Sequence, residues 1–186
     1  VYDDYLFKSS GALAENSWVK IADKWYYGNQ EGKINRDKWA KIDGLWYRFD
    51  ESGVMLSATI YKDHLLNTSG AMAEKGWIKL DQNWYYVTPS SRISQDKWEK
   101  INGSWYYFDK NGVMLSQTTI GAYLLDSSGA MAENSWVKIN ENWYYANEYG
   151  KYSQDKWEKI KGTWYAFEQN GAMLSNKWKG SYYLKS

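Results

Sequence analysis

The amino-acid sequence predicts an all-β protein, a solenoid of stacked β-hairpins, and three observations carry that expectation. Asn102-Gly103 sits between two runs of aromatic and β-branched residues, Trp98 to Ile101 and Trp105 to Phe108. A two-residue Asn-Gly connection is the strongest short-range hairpin signal, because a type I′ turn needs positive φ at both central residues. The pattern recurs: Trp18, Trp39, Trp77, Trp98, Trp136, Trp157 and Trp178 open hairpins, and six of them are followed seven residues later by a second Trp. The spacing alternates between 21 residues (Trp18 to Trp39) and 38 (Trp39 to Trp77), so the larger period is 59. Gly11, Gly70 and Gly129 obey that period, as do Met55, Met114 and Met173.

The stretch from Lys97 to Thr118 is the template. With a turn at Asn102-Gly103, Ile101 faces Ser104, Lys100 faces Trp105, Glu99 faces Tyr106 and Trp98 faces Tyr107. Cross-strand partners share a face and successive residues alternate. One face therefore carries Trp98, Lys100, Trp105 and Tyr107, and the other Ile101, Tyr106 and Phe108. A lone hairpin is marginal in water, so each must stack on its neighbours. The Ile101 face is expected to pack and the Trp98 face to bind; the middle tyrosines Tyr26, Tyr47, Tyr85, Tyr106, Tyr144 and Tyr165 are assigned to packing.

Each 59-residue period holds three kinds of hairpin. The first kind runs from Ser17 to Asp37, with copies from Gly76 and Ser135; the second is the Lys97 kind, with copies from Lys38 and Lys156. The third is shorter and lacks Trp, from Ile60 to Lys75 and Thr119 to Asn134. The chain reads as one module of about ten units: 1–16, 17–37, 38–59, 60–75, 76–96, 97–118, 119–134, 135–155, 156–176 and 177–186. Three hairpins per period suggest about three per superhelical turn.

Composition narrows the function. The 186 residues carry a net charge of +1, which gives no electrostatic case for nucleic acid or an anionic membrane. Thirteen Trp and 18 Tyr exceed what a core of this size needs, so many rings must lie at a surface or between repeats. There is no Cys, one His and one Pro (Pro89), no phosphate-binding Gly loop and no metal-ligand cluster. No catalytic residue, cofactor or metal is expected. Acidic residues recur with the repeat, whereas a carboxylate-pair active site is normally unique. His64 stands where Tyr5, Tyr123 and Tyr182 stand in the other copies, and reads as a substituted ring position. No apolar run reaches the 18 residues of a spanning helix. The chain begins at Val1 without a signal-like segment and is expected to be a piece of a longer protein.

Trp-x-Lys, a turn, Trp-Tyr-Tyr and then Gly-x-Met, repeated along essentially the whole chain, resembles the choline-binding (cell-wall-binding) repeats of pneumococcal-type surface proteins and phage lysins. The resemblance implies a left-handed β-hairpin superhelix. It implies choline or phosphocholine of teichoic and lipoteichoic acids as ligand, held between successive hairpins by two Trp from one, a Tyr from the next and a nearby Met. It further implies a secreted, cell-surface parent carrying an attached domain such as a wall hydrolase or adhesin. A quaternary ammonium donates no hydrogen bond, and aromatic faces attract it through the ring quadrupole at roughly 0.5–2 kcal/mol per contact.

Carried over residue by residue, the cage is complete at Trp77, Trp84, Tyr107 and Met114. The remaining sites are expected to be weaker. Trp18 and Trp25 would meet Arg48, and Trp136 and Trp143 would meet Ala166. Trp39 with Trp46 would meet Leu66, Trp98 with Trp105 would meet Leu125, and Trp157 with Trp164 would meet Leu184. Tyr27, Tyr86 and Tyr145 follow Trp-less units, where Tyr5, His64 and Tyr123 would complete irregular sites. Lys20, Lys41, Lys79, Lys100, Lys138 and Lys159 are expected to cover ring edges or meet phosphate. The alternatives are a glucan-type carbohydrate-binding repeat module, since Trp faces also stack on sugars, and a structural spacer with few working sites.

Overall fold

The computed structural model describes residues 2–185. The described residues contain eighteen short strands and no helix, arranged as nine separate two-stranded antiparallel sheets. The chain divides into two compact units, Val1–Ile93 and Ser94–Ser186. The first contains four hairpins: β1 (Ser17–Ile21) with β2 (Lys24–Gly28), β3 (Lys38–Ile42) with β4 (Leu45–Phe49), β5 (Thr59–Tyr61) with β6 (His64–Leu66), and β7 (Gly76–Leu80) with β8 (Asn83–Val87). The second contains five: β9 (Lys97–Ile101) with β10 (Ser104–Phe108), β11 (Thr118–Ile120) with β12 (Tyr123–Leu125), β13 (Ser135–Ile139) with β14 (Asn142–Ala146), β15 (Trp157–Ile160) with β16 (Thr163–Ala166), and β17 (Lys177–Lys179) with β18 (Tyr182–Leu184). Val1 and Ser186, which begin the first expected unit and end the last, lie outside the described residues.

The register of the template hairpin is the one its sequence predicts: Ile101 opposite Ser104, Lys100 opposite Trp105, Glu99 opposite Tyr106 and Trp98 opposite Tyr107. Its turn has φ of 50° at Asn102 and 92° at Gly103, the type I′ requirement. The glycine-free turns at Asp81 and Asn140 need positive φ only at that first residue.

Each hairpin before the last continues into a third short segment that the sequence pattern does not announce. After β10, the Asp109 carboxylate accepts from the backbone N–H groups of Asn111 and Val113, both at 2.8 Å, and folds the chain back. Met114 then forms a bridge with Phe108. Met55 does the same with Phe49, Met131 with Leu125 and Met173 with Phe167; Ile34, Ile93 and Tyr152 fill this slot after the first-kind hairpins. Successive hairpins are tied by bridges from a middle tyrosine to the next-but-one strand segment, Tyr47 with Ala71 and Tyr106 with Ala130.

The core lies between hairpins, not within them. Ile42, Phe49 and Met55 are buried and pack with Trp18, Tyr27 and Tyr47. Two periods on, Ile160 and Phe167 pack with Trp136, Tyr165 and Met173. The Trp-bearing face of one hairpin thus lies on the Ile/Tyr/Phe face of its successor. That two-sided stacking decides where the binding site forms.

Candidate functional site

A site begins with the two Trp of one hairpin. Trp18 pairs with Tyr27 and Lys20 with Trp25, so Trp18 and Trp25 are diagonal neighbours on one face. Their ring centroids are 6.4 Å apart with planes at 90°, two walls of an open corner. Trp77 and Trp84 form the same corner, 6.4 Å and 88°. The opening Trp is half-buried at Trp18, Trp39, Trp77, Trp98 and Trp136, while the second keeps an exposed face, 42% accessible at Trp25 and 38% at Trp105.

The third wall comes from the next hairpin. Tyr47 stands 4.9 Å from Trp18 at 68°, and Tyr165 stands 4.8 Å from Trp136 at 65°. At hairpins of the third kind the ring one residue past the turn takes this place: His64 at 5.5 Å from Trp39, Tyr123 at 5.4 Å from Trp98 and Tyr182 at 5.7 Å from Trp157. The methionine segment closes the arrangement. Its backbone N–H donates to the carbonyl of the second Trp, from Met55 to Trp25 and Met72 to Trp46 at 2.8 Å, and from Met131 to Trp105 and Met173 to Trp143 at 2.7 Å.

This geometry corrects the expected third wall. Trp18 meets Tyr47, and the Arg48 guanidinium is turned away and buried. It donates to Asp37, to the Tyr61 hydroxyl at 2.9 Å and to the Phe49 carbonyl at 2.6 Å, and lies 4.5 Å from the Tyr61 ring centroid. Trp136 meets Tyr165 in place of Ala166. His64, Tyr123 and Tyr182 stand where Leu66, Leu125 and Leu184 were expected, and Leu66 and Leu125 are fully buried. At Arg48 and Ala166 the cause is strand alternation: that position shares the face of its own opening Trp, so it cannot also look back at the preceding hairpin. Tyr27, Tyr86 and Tyr145 accordingly lie 5.0, 5.3 and 5.1 Å from Trp18, Trp77 and Trp136 of their own hairpins. They buttress the cages, and His64 and Tyr123 complete regular sites, not irregular ones. The middle tyrosines assigned to packing are the missing walls at Tyr47 and Tyr165. The alternation along Trp105-Tyr106-Tyr107 itself carries the signal.

Trp77 and Trp84 belong to the first unit, whereas Tyr107 and Met114 belong to the second. Tyr107 lies 5.4 Å from Trp98 of its own hairpin and its hydroxyl donates to Asp96 at 2.9 Å. That hydrogen bond raises its pKa, with burial adding to the effect. The lysines two residues after the opening Trp cover rings or pair with turn carboxylates. Lys79 and Lys100 sit 5.8 Å from the Trp84 and Trp105 centroids, and Lys20 meets Asp23 at 2.9 Å.

Two clefts are open at these junctions. The larger, about 660 Å³, is lined by Trp98, Trp105, Tyr123 and Met131, with Glu133, Glu148, Tyr149 and Lys151 around them. The other, about 370 Å³, is lined by Trp157, Trp164 and Tyr182. No group of His, Cys, Asp and Glu among the described residues is arranged to hold a metal ion. Converging ring faces and a polarizable thioether suit an alkylated cation.

The family model of the cell wall binding repeat, of the choline-binding type, matches residues 16–34, 37–55, 75–90, 96–114, 134–151 and 155–173, more than half of the chain. The chain belongs to this family. The choline-binding repeats match the six hairpins with paired Trp and leave out the Trp-less third kind and the Trp178 hairpin. Among solved structures, the modular autolysin LytC from Streptococcus pneumoniae is 28% identical with a TM-score of 0.64, over 90% of this chain and 40% of that one. Choline-binding protein F from the same organism is 24% identical, TM-score 0.61, over 85% of this chain and 57% of that one. The choline-binding domain of CbpL, also from S. pneumoniae, is 24% identical, TM-score 0.50, over 97% of this chain and 88% of that one. The chain therefore spans less than half the length of the autolysin. No curated protein sequence matches it. The repeats are a non-catalytic, cell-wall-associated module, and no helix of the described residues is long and apolar enough to cross a membrane.

Proposed function

We propose that this module anchors a longer, secreted protein to the bacterial cell wall by binding choline of teichoic and lipoteichoic acids in the cages between hairpins. The observation that carries this reading is the recurrence of one constellation: two Trp at right angles, an aromatic ring from the next hairpin and a backbone-tethered Met. Trp18 and Trp25, Trp39 and Trp46, Trp98 and Trp105, Trp136 and Trp143, and Trp157 and Trp164 hold the trimethylammonium group, each pair with the ring named above. Trp77 and Trp84 supply the same corner. Three ring contacts at about 1 kcal/mol each, with methyl burial against Met, give a dissociation constant of roughly 1 mM per cage. The attached domain is a peptidoglycan hydrolase or a surface adhesin, which the module holds at its substrate.

Calorimetry with choline and with an α-glucan oligosaccharide tests the reading. Saturable millimolar binding of choline without response to the glucan is expected. Binding of the glucan alone would assign the module to carbohydrate, and binding of neither would leave a spacer.

A further inference from the structure

The single histidine of the chain is a cage wall. The His64 ring stands 5.5 Å from Trp39 with the planes at 79°, and the Met72 N–H beside it donates to the Trp46 carbonyl at 2.8 Å. The wall in this place is Tyr123 at the Trp98 cage and Tyr182 at the Trp157 cage. A phenol stays neutral on acidification, whereas imidazole is the side chain whose charge changes between about pH 5 and pH 8.

Both ring nitrogens of His64 meet acceptors. The Ser91 carbonyl lies 2.7 Å from Nδ1, and the Asp63 carboxylate lies 3.4 Å from Nε2. A carbonyl only accepts, so Nδ1 carries a hydrogen. In the neutral ring Nε2 then sets a lone pair against a carboxylate oxygen, and only the imidazolium donates to both partners. Asp63 is ion-paired through its other oxygen to Arg92, which offsets part of its charge. Tyr61, the cross-strand partner of His64, carries the Arg48 guanidinium 4.5 Å and the Lys62 ammonium 5.6 Å from its ring centroid. The backbone supports this arrangement. Ser91 stands where the other copies have Gly32 and Gly150, and it keeps their left-handed conformation with φ of 59°. In those copies the carbonyl accepts from the backbone N–H of Leu6 at 2.9 Å and of Leu124 at 3.2 Å; at Ser91 it meets the His64 ring. The Tyr123 copy has Ala122 in place of Asp63.

We propose that the Trp39 cage is gated by a proton on His64: it holds an alkylated cation while the imidazole is neutral and releases it when the imidazole is charged. The neutral ring offers the cation a π face. The imidazolium places a like charge within about 6 Å of it, and Asp63, already shared with Arg92, screens only part of that charge. By linkage the bound cation opposes protonation to the same extent. The inference rests on the choline reading of the cages and adds to it the regulation of one of them. Cages walled by tyrosine keep their ligand over the same interval, so acidification subtracts one site and leaves the module attached.

The test is a choline titration of the full chain at about pH 8 and about pH 5.5, followed at the indole N–H signals by NMR. The Trp39 and Trp46 signals should report about fivefold weaker binding at the lower pH. Those of Trp98 and Trp105, walled by Tyr123, should stay within about twofold. His64→Tyr should hold the affinity at Trp39 constant over the interval. A second measurement uses the parent chain alone: saturating choline should lower the pH at which the His64 ring signals titrate, by the logarithm of the same factor. An affinity at Trp39 that ignores pH, a fall that persists in His64→Tyr or spreads equally to Trp98, or a His64 titration that choline does not move overturns the proposal. Failure of choline to move any indole signal at the higher pH overturns the choline reading itself, and the gate with it.

Discussion

His64 is the residue on which one cage differs most from its equivalents. It faces Trp39 where Tyr123 faces Trp98, and it is held by Ser91 and 3.4 Å from Asp63. An imidazole offers a choline cation a poorer ring face than a phenol. His64→Tyr should therefore raise the choline affinity read at the Trp39 and Trp46 indoles by roughly two- to fivefold, the equivalent of about 0.5–1 kcal/mol. No change there would show that the third wall contributes nothing. Arg48 gives a stability prediction. Its guanidinium is 5% exposed and depends on Asp37 and Tyr61. Asp37→Asn should destabilise the fold by about 2 kcal/mol, because it leaves a buried charge with one partner fewer. Adding Arg48→Tyr, the residue at the equivalent position 107, should recover most of that loss in thermal unfolding. A pH dependence follows from Glu99 and Glu158. Lys97 and Ser94 hydrogen bonds hold the Glu99 carboxyl below its ordinary 4.5 against partial burial. At Glu158 burial pushes the other way, and Lys156 and Ser153 outweigh it. A lowered folded-state value contributes stability above pH 4.5 that is lost as pH falls through the folded value. Acid titration of the melting temperature should accordingly be less steep below pH 4.5 in Glu99→Gln than in the parent chain.

At the scale of the element, the hairpin was legible and its third segment was not. The Asn102-Gly103 turn, the alternation and the Trp spacing specify register and faces, and the observed pairing agrees residue for residue. The Gly-x-Met segment is too short to show a period, so its bridge to the hairpin left no pattern to read. The third wall was misassigned for a related reason. Alternation puts Tyr106 and Tyr107 on opposite faces, and only the requirement that hairpins stack on both faces tells which of the two looks back at the preceding hairpin. A glycine makes the third segment's tightness testable. Gly129 has φ of +84°, and a Cβ there would lie 2.5 Å from the Met114 Cε. Gly129→Ala should destabilise the second unit by about 1–3 kcal/mol through strain and displaced methionine packing. A melting curve indistinguishable from the parent would refute the close approach.

For the whole molecule, the family and the hairpin series were readable from the repeat, because every copy restates the same evidence. What the copies do not restate is which ring completes a cage, since that differs by single substitutions such as His64 for Tyr123. Several weak cages on one chain act together on a polymer bearing many choline groups, and effective concentration raises avidity without tight individual sites. Replacing Trp105 by Ala should thus reduce the bound-choline stoichiometry by one while weakening retention on a choline-bearing polymer by a larger factor. Equal loss in both measurements would mean that the cages do not act together.

Within a unit, a hairpin with paired Trp lends a wall backwards and opens a corner forwards: Tyr165 serves Trp136, while Trp157 and Trp164 of the same hairpin look on to Tyr182. A binding site is therefore written across a join, and the gene that encodes it can lengthen or shorten without spoiling one. An in-frame duplication of 59 residues inserts whole joins and restores the old ones at its borders, so unequal recombination can change the number of cages by whole sites. Dose, in such a lineage, is adjustable by copy number alone, with no new side chain to invent.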